Sequence, residues 1–470
     1  MPMDLLPPRP LTSLDAYVRT GGMQALERAR ATAPDDVIGV LADAGVRGRG
    51  GAGFPTARKW AGVRAATGID DECFVVVNAA EGEPGTFKDR ALIRANPFLA
   101  LEGALIAAHC VGAPRIVVAT KSAYHEQVAA LGAAIDQLSG AGWIEGVSVE
   151  LVEGPDQYLF GEETALLEVI EGEDPLPRQI PPYLYGLYTT GPQLGWSAGI
   201  DASPGGPATP SANPVVVNNA ETFAHAALVV RNGAAWYRAT GTTESPGPTI
   251  VTITGDVRRP AVAEVPLGIP LGELIEGLSG GARPGRSIKA VLSGVANAAL
   301  TAGALDAPVT YEGLASAGGG LGSAGFIVYD DTRNMVDVAY QVARFLHVES
   351  CGQCNSCKLG THDIALVLEH LVAGAASPRD PVSSLRRYLA GVTDSARCFL
   401  PTQAQVLVAS LLDRFPDDLA DRLAGGGGDV EAPLPRIVDL RDGVLELAAG
   451  PPYKQPDWTL ADVPVRLTRR

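Results

Sequence analysis

The sequence lacks the features that mark a membrane-spanning or nucleic-acid-binding protein. Its 37 lysines and arginines stand against 53 aspartates and glutamates, which gives a formal net charge of −16 at pH 7. A surface of this sign repels nucleic-acid phosphates, so no nucleic-acid partner is expected. The apolar stretch at 98–111 is shorter than a membrane span and contains Glu102 and His109. We therefore expect no direct insertion into a membrane.

A secretory signal and a disulfide framework are also missing. The first residues, MPMDLLPPRP, show no basic region followed by an apolar stretch. Six cysteines in 470 residues are too few for a disulfide-stabilised chain of this length. These absences favour a cytoplasmic protein, and the length predicts about two to four domains.

Strand and helix patterns alternate through the first half of the chain. Short β-rich runs at 74–78, 115–120 and 147–154 predict strands, and residues 89–110 and 122–138 between them predict helices. This alternation is typical of an α/β domain with a largely parallel sheet, and we place that domain at 1–245. Ligands of such sheets bind beyond the carboxyl ends of the strands.

The order of predicted strands and helices changes after residue 245. Residues 246–330 read strand, strand, helix, strand and predict a small separate α+β domain, with a structural or docking role. Residues 331–425 show helical periodicity and predict a helical bundle. The tail at 426–470 contains a possible hairpin around Asp442. The Gly-, Pro- and Ser-rich stretch at 191–214 predicts an irregular excursion.

Four cysteines carry the strongest chemical signal. Cys351, Cys354 and Cys357 are separated by two residues each time, and Cys398 lies further along the chain. Such a triplet can hold one corner of a compact cluster that a fourth thiolate closes, as in a [4Fe–4S] centre. Zinc also accepts four cysteines, but its sites usually present two separated pairs, so the spacing favours iron–sulfur. A disulfide is the weaker alternative.

A glycine-rich segment, VRGRGGAGFPTARKW at 46–60, predicts an anion site. Its glycines let backbone N–H groups approach a phosphate, and a helix begins directly after it. Arg47, Arg49 and Lys59 could complete the cradle. The spacing also matches the dinucleotide fingerprint, but a helix rather than a strand precedes it, and no Walker sequence follows. A flexible surface loop is the alternative interpretation.

Polar and acidic residues follow two predicted strands and begin a helix. They are Asn78, Glu81, Glu83, Glu162, Glu163, Asn218 and Asn219. Acidic residues at helix starts are often only dipole partners. Together, however, these groups could bind the polar edge of a flavin and the ribose hydroxyls of a nicotinamide nucleotide. Phe54 and Tyr158 could stack on flat rings. With an electron-carrying cluster, this set predicts a hydride-to-electron converter that needs a flavin.

The ordered motifs RGRGGAGFPTARKW, NAAEGEPGTFKDR, YLFGEETALLE, VVVNNAET and ESCGQCNSCKLGT resemble a known family. It is the NADH-oxidising flavoprotein subunit of respiratory complex I, the F subunit of bacterial NADH-quinone oxidoreductase. The diaphorase subunits of NAD-linked hydrogenases and formate dehydrogenases are related. The resemblance covers roughly residues 35–415. It implies an FMN- and NADH-binding α/β domain, a β-grasp-like middle domain and a helical domain with one [4Fe–4S] cluster.

The resemblance also implies site residues. For FMN they are Gly48, Gly50, Gly51, Gly53, Lys59, Asn78, Glu81, Tyr158, Gly161, Glu162, Asn218, Asn219 and Thr222. For NADH they are Phe54, Glu83, Glu163 and Tyr183, with Glu81 near both ligands. The cluster ligands are Cys351, Cys354, Cys357 and Cys398. Hydride would pass from NADH to FMN, and single electrons would then pass through the cluster to a partner.

Departures from the family pattern leave alternatives open. Ala80 stands where the family has Asp, Ile180 stands about where a Lys holds the nucleotide, and Phe399 follows Cys398. One alternative is a stand-alone or diaphorase-type NAD(P)H:ferredoxin oxidoreductase, and another is a non-catalytic scaffold that keeps the cluster. Expected partners are a thioredoxin-like iron–sulfur subunit, a ferredoxin or a larger redox complex. The protein would then reach the inner face of a membrane only through its partners.

Overall fold

The computed structural model describes residues 5–68, 72–189, 212–374, 380–426 and 433–450. The predicted excursion at 191–214 therefore lies almost wholly outside the described residues. The helices are α1 (Leu14–Arg19), α2 (Gln24–Arg30), α3 (Pro34–Ala44), α4 (Thr56–Ala66), α5 (Lys88–Ala95), α6 (Pro97–Val111), α7 (His125–Gly140), α8 (Glu163–Ile170), α9 (Ala220–Asn232), α10 (Ala234–Arg238), α11 (Leu271–Ser279), α12 (Tyr311–Ser316), α13 (Met335–Glu349), α14 (Asn355–Val372), α15 (Pro381–Gly391), α16 (Leu400–Arg414) and α17 (Pro416–Leu423). Short 3-10 helices span Tyr158–Gly161 and Ala302–Ala304.

The strands are β1 (Phe74–Ala79), β2 (Arg115–Lys121), β3 (Ser148–Gly154), β4 (Val215–Asn219), β5 (Pro248–Gly255), β6 (Ala261–Pro266), β7 (Ile288–Ser293), β8 (Leu300–Thr301), β9 (Gly325–Asp330), β10 (Ile437–Arg441) and β11 (Val444–Leu447). They form a first sheet in the order β3-β2-β1-β4, a second in the order β6-β5-β9-β7-β8, and the two-stranded β10-β11.

The first sheet is parallel throughout, as the alternating pattern predicted. Its central strands are continuous valine runs buried on both faces, which is the composition that parallel strands covered by helices require. In the register, Val76 of β1 lies between Val117 of β2 and Val217 of β4. The α/β fold expected for this part of the chain is confirmed.

The helix predicted over 89–110 is two helices, and that prediction was wrong in one respect. α5 and α6 meet at an angle of 98°. Pro97 lacks the N–H that a continuous helix would need and its ring clashes with the preceding turn, so a new helix begins at this residue. α6 is buried on almost every side and packs against α9.

Within the described ranges, no single helix is both long enough and apolar enough to cross a membrane. α5 and α6 meet the length and composition criteria only as a bent pair.

The second sheet is mixed, with β5 and β9 parallel and the other pairs antiparallel. α11 and α12 pack with it around a core that includes Phe326 and Leu274. α13 to α17 form the predicted helical bundle, and its core includes Val342, Leu368 and Leu407.

The hairpin predicted in the tail is present as β10 and β11. Asp442 and Gly443 both have positive φ, of 52° and 78°, which matches the twist that a two-residue hairpin turn needs. Ile437 and Leu440 bury their side chains against Phe87, so the hairpin returns to the first domain.

Candidate functional site

The carboxyl ends of β1 and β4 bring the predicted polar residues together. Asn78 of β1 and Asn219 of β4 are register partners, so both lie at the same edge of the sheet. Asn78 Nδ2 donates to the carbonyl of Gly161 at 2.9 Å, which joins the Tyr158–Gly161 turn to this edge. Asn218 Oδ1 accepts from Trp60 Nε1 at 3.2 Å. These residues therefore lie beyond the carboxyl ends of parallel strands, where such sheets bind ligands, and we call this edge the crevice.

The glycine-rich segment forms a closed loop before α4. The Gly48 amide donates to the Phe54 carbonyl at 2.8 Å, and the Thr56 amide donates to the Val46 carbonyl at 2.9 Å. Gly53 has a φ of +63°, and a Cβ at this position would overlap the ring of Tyr311. Only glycine fits both the backbone angle and the close packing.

The two arginines of this loop contact the elements around the second sheet, which we call the second domain, and Arg49 also contacts α10. Arg47 stacks at 3.8 Å over the ring of Tyr311 and pairs with Glu312. Arg49 is buried and donates to Tyr237 Oη at 3.1 Å and to the Pro248 carbonyl at 2.9 Å. The structure thus gives the second domain a definite contact with the predicted phosphate loop.

Lys59, by contrast, lies at the first sheet. Its Nζ is 2.5 Å from Glu163 Oε1 and donates to the Val217 carbonyl at 3.0 Å. A residue predicted for FMN and one predicted for NADH therefore form an ion pair.

The start of α9 holds a buried charge cluster that the sequence analysis missed. Lys88 Nζ lies 2.7 Å from Asp89 Oδ1 and 3.0 Å from Glu221 Oε2, and it donates to Asn219 Oδ1 at 3.0 Å. Burial raises the pKa of Asp89 to about 6, against the opposing charge of Lys88. Burial opposes ionisation of Glu221, but the charge of Lys88 prevails and lowers its pKa. The only sequence signal was the position of Lys88 inside the FKDR motif.

Thr222, predicted for FMN, also lies in the first turn of α9. Its Oγ1 accepts from the backbone amide of Arg49 at 2.8 Å. Asn219 caps the same helix, since its side chain accepts from the Glu221 amide at 3.1 Å. The glycine loop and this helix start are therefore held against each other.

The acidic residues occupy distinct positions. The carboxylate of Glu81 accepts from Arg90 Nε at 2.9 Å and from the Asp89 amide at 3.1 Å. Glu162 caps α8 by accepting from the amides of Thr164 and Ala165. These contacts match the alternative interpretation of acidic residues as helix and loop partners.

Glu83 is held by the Tyr158–Gly161 turn and by the segment that follows β7. Its carboxylate accepts from Tyr158 Oη at 2.6 Å and from the Val295 amide at 2.6 Å. Burial raises the pKa of Glu83, and the hydrogen bonds from Tyr158 and Val295 partly offset this effect.

Two aromatic residues predicted for NADH are unusually exposed. Phe54 is 45% exposed and Tyr183 is 49% exposed, whereas most large apolar side chains of the described chain are buried. The guanidinium of Arg58 lies 5.8 Å from the centroid of the Phe54 ring. An exposed aromatic ring is available to stack on a planar ligand.

The four predicted cysteine ligands line one cavity. Leu159, Ser350, Arg397, Leu400 and Pro401 complete its walls. Cys354 precedes α14 and Cys357 lies in its first turn, while Cys398 lies two residues before α16. Two helix starts therefore direct their positive dipole ends toward the sulfurs, which favours thiolates.

The arrangement of these thiols is compatible with the predicted cluster, because all four lie around one cavity and three of them come from one short segment of the chain. Burial raises the pKa of Cys357 to about 11 and that of Cys398 to about 12, so binding of the cluster must displace their protons.

The residues present also fit a flavin mononucleotide. Thr56 Oγ1 is buried at the first residue of α4 and has no hydrogen-bond partner among the described residues. It directly follows the glycine loop, where a phosphate would find glycine amides and a helix start. A buried hydroxyl without a partner at this position is free to donate to a phosphate oxygen.

Comparisons with known proteins agree with this geometry. Residues 41–227 match the family described as the Nuo51 FMN-binding domain, and residues 337–422 match the NADH-ubiquinone oxidoreductase-F iron-sulfur binding region. Residues 250–293 match the SLBB domain.

Whole-chain relatives are similar over most of their length. The second of the NADH-quinone oxidoreductase F subunits of Rhizobium meliloti (strain 1021) is 35% identical over 415 residues, which are 86% of this chain and 92% of the relative. The NADH-quinone oxidoreductase F subunit of Aquifex aeolicus (strain VF5) is 32% identical over 86% of this chain and 90% of the relative.

A solved structure is also similar. The NAD+-reducing [NiFe]-hydrogenase in the H2-reduced state contains a chain that matches with a TM-score of 0.72 and 34% identity. The match covers 83% of this chain but only 63% of the hydrogenase chain.

Proposed function

This chain belongs to the family of the NADH-quinone oxidoreductase F subunits, and from that premise we propose which of its residues carry out the reaction. As a member of that family, it is an NADH-oxidising flavoprotein with FMN and a [4Fe–4S] cluster. The observation that supports the assignment best is the Tyr158–Gly161 turn. Gly161 accepts from Asn78 in the crevice, and Leu159 lines the cysteine cavity.

The glycine loop and its neighbours bind the FMN phosphate. Lys59 supplies positive charge, and Thr56 supplies a free hydroxyl at the helix start. Asn78, Asn218 and Asn219 present amides at the sheet edge toward the polar part of the flavin. The remaining predicted residues, Gly48, Gly50, Gly51, Gly53, Gly161, Glu81, Glu162, Tyr158 and Thr222, shape or brace this crevice.

Residues at the mouth of the crevice bind NADH. Phe54 and Tyr183 stack against its rings, while Glu83 and Glu163 accept hydrogen bonds from its polar groups. When bound, FMN accepts two electrons as hydride and the cluster carries one at a time, which is chemistry that side chains cannot supply. Cys351, Cys354, Cys357 and Cys398 hold the cluster, and the two helix starts stabilise its negative charge.

Anaerobic spectroscopy tests this function. Purified protein is reconstituted with FMN, iron and sulfide, and NADH is then added. We expect the absorbance of the oxidised flavin to bleach. Flavin that stays oxidised would contradict the proposal and favour the scaffold alternative suggested by Ala80 and Ile180.

A matched variant separates the two cofactors. Cys398→Ser removes one proposed cluster ligand and leaves the crevice intact, so it should lose the iron–sulfur absorbance while its flavin still bleaches with NADH. Loss of flavin binding in this variant would mean that the cavity has another role.

A larger redox complex receives the electrons, as the names of the relatives imply. We place the docking face beside the cluster, where Leu359 is 63% exposed and Phe399 is 58% exposed. The partner is a thioredoxin-like iron–sulfur subunit or a ferredoxin. This chain itself lies on the cytoplasmic side and reaches the inner face of the membrane through its partner subunits.

The structural match to the hydrogenase supports one second candidate. In that case the chain is a diaphorase-type subunit that exchanges electrons with a soluble enzyme. Native co-purification distinguishes the two: membrane subunits support a quinone-reducing complex, and a soluble oxidoreductase supports the diaphorase.

A further inference from the structure

Gln403 extends the hydrogen bonds around Glu83 into the helical bundle. Its Nε2 donates to Tyr158 Oη at 2.7 Å, and Tyr158 Oη donates in turn to Glu83 Oε2 at 2.6 Å. Gln403 is only 7% exposed and lies in α16, the helix that begins just after Cys398. One line of hydrogen bonds therefore connects the helix beside the cluster cavity with the nucleotide crevice.

The same carboxylate is held from a third direction. Glu83 Oε1 accepts from the Val295 amide, which follows β7 of the second domain. The Tyr158 ring packs at 5.2 Å against Phe345 of α13, and the Tyr158 amide donates to Glu349 at 2.9 Å. Tyr158 is thus fixed by the bundle, and its hydroxyl can turn to few other partners.

We propose that Gln403 is a positioning residue that keeps Glu83 ionised and oriented to bind the nicotinamide nucleotide. This inference rests on the proposed function of Glu83 in the crevice. A donor on Tyr158 Oη polarises the hydroxyl and strengthens the bond that it donates to the carboxylate. The cluster-bearing part of the chain thereby contributes to nucleotide affinity without touching the nucleotide.

The direction of the pH effect follows from the partners of Glu83. Burial favours its protonated form, whereas the donors Tyr158 and Val295 favour the carboxylate. Among the described residues, the charged groups nearby include Lys121, which lies beside Gly82 and pairs with Asp156. They also include Glu349, which accepts from the Tyr158 amide, and Arg436, which interacts with Glu349. Loss of the Gln403 donor should raise the pKa of Glu83. On acidification, the variant should therefore lose nucleotide binding at a higher pH than the wild type does.

The test measures binding of NAD+ to the oxidised, cofactor-loaded full chain by calorimetry from about pH 5 to about pH 9, a range that spans the titration of a buried carboxyl. Gln403→Leu should weaken binding about 3- to 10-fold, as expected for one lost hydrogen bond, and should move the acidic limb to higher pH. Glu83→Gln should remove the acidic limb.

Gln405→Leu is the matched control. Gln405 lies on the same helix, but it donates to the Leu389 carbonyl at 2.6 Å, outside the crevice. It should leave affinity and pH profile unchanged even if it lowers thermal stability. Because Gln403 Oε1 has no partner among the described residues, leucine should be tolerated at that position.

Tyr158→Phe carries the same test if Gln403→Leu does not fold. Tyr158→Phe should weaken NAD+ binding and move the acidic limb to higher pH, both more strongly than Gln403→Leu does. Adding Gln403→Leu to Tyr158→Phe should change neither quantity further. Equal affinities and pH profiles for the wild type and Gln403→Leu would overturn the inference. Absence of NAD+ binding by the wild type at every pH would instead overturn the proposed function.

Discussion

At the scale of single residues, close packing explains much of the glycine-rich loop. Gly53 needs both a left-handed backbone and room for the ring of Tyr311. Arg47 and Arg49 belong to the same loop, yet they bind the second domain. The phosphate loop is therefore held in shape by contacts with a distant part of the chain.

Gly53→Ala should destabilise the protein and abolish FMN binding. The left-handed conformation and the overlap with Tyr311 together should cost about 2–4 kcal/mol. Gly39→Ala in α3 is the control, since a Cβ there meets no other atom and should stabilise the helix by about 0.5–1 kcal/mol. Thermal unfolding and flavin fluorescence report the two effects, and normal FMN binding by Gly53→Ala would contradict this explanation.

His225 should make stability depend on pH. Burial, with the nearby charge of Arg49, lowers its pKa from 6.5 to about 4. Above pH 6.5 the histidine is neutral in both the folded and the unfolded protein, and His225 costs no stability. As the pH falls from 6.5 toward 4, the unfolded protein binds a proton that the folded protein does not, and the free energy of unfolding decreases. The full loss is up to about 3 kcal/mol.

His225→Gln should remove that part of the pH dependence, measured as the free energy of unfolding in urea at several pH values. His125→Gln, a change at an exposed histidine of α7, should leave it in place. Identical pH profiles for the wild type and His225→Gln would show that His225 has the same pKa in the folded and the unfolded protein.

At the scale of elements, the C-terminal hairpin supports the acidic loop at 81–90. Arg90 donates to the Ile437 carbonyl at 2.7 Å while it binds Glu81 at 2.9 Å. The Gly85 amide also donates to the Pro435 carbonyl at 2.7 Å. The loop that carries two proposed ligand-binding carboxylates is thus held by a segment more than three hundred residues away.

Leu440→Ala should loosen this contact. Leu440 is buried against Phe87, and its truncation should cost about 2–3 kcal/mol locally. Hydrogen exchange at the amides of 85–90 should become faster, while the α13–α17 bundle is unaffected. Val438→Ala, at a half-exposed position of the same strand, should leave exchange unchanged, and a uniform response across the chain would argue against a local contact.

At the scale of the whole molecule, three parts of the chain contribute to the proposed site. The first sheet supplies the crevice, the second domain anchors its loop, and the bundle supplies the thiols. Large apolar side chains beside those thiols remain exposed, and we expect them to contact the redox partner.

Phe399→Ser combined with Leu359→Ser should weaken partner binding at least about tenfold, as for exposed apolar anchors of an interface. NADH oxidation with ferricyanide should be unchanged, because that acceptor needs no docking face. Val18→Ser changes an exposed apolar residue of α1 and should leave partner binding as it was. Undiminished electron transfer to the native partner would place the docking face elsewhere.

Much of this arrangement could be predicted from local patterns. Valine runs, helical periodicity and the Asp442-Gly443 turn act over a few residues, and the expected strands, bundle and hairpin were found. The failure at Pro97 came from reading apolar periodicity through a residue that begins a new helix. Lys88 and Gln403 were missed, and Arg49 was predicted for the phosphate and not for its contacts with Tyr237 and Pro248, because these partners lie far away in sequence. For example, 245 positions separate Gln403 from Tyr158.

The sequence by itself determined the kind of chemistry. The cysteine spacing, the glycine loop and the ordered acidic motifs identify iron–sulfur, phosphate and nucleotide groups, because each depends on residues that are neighbours in the chain. Only the tertiary structure decided which partner each buried charge finds within the protein. A buried ion must find its partner wherever the fold places it, so Arg49 binds the second domain and Lys88 binds Asn219 and Glu221.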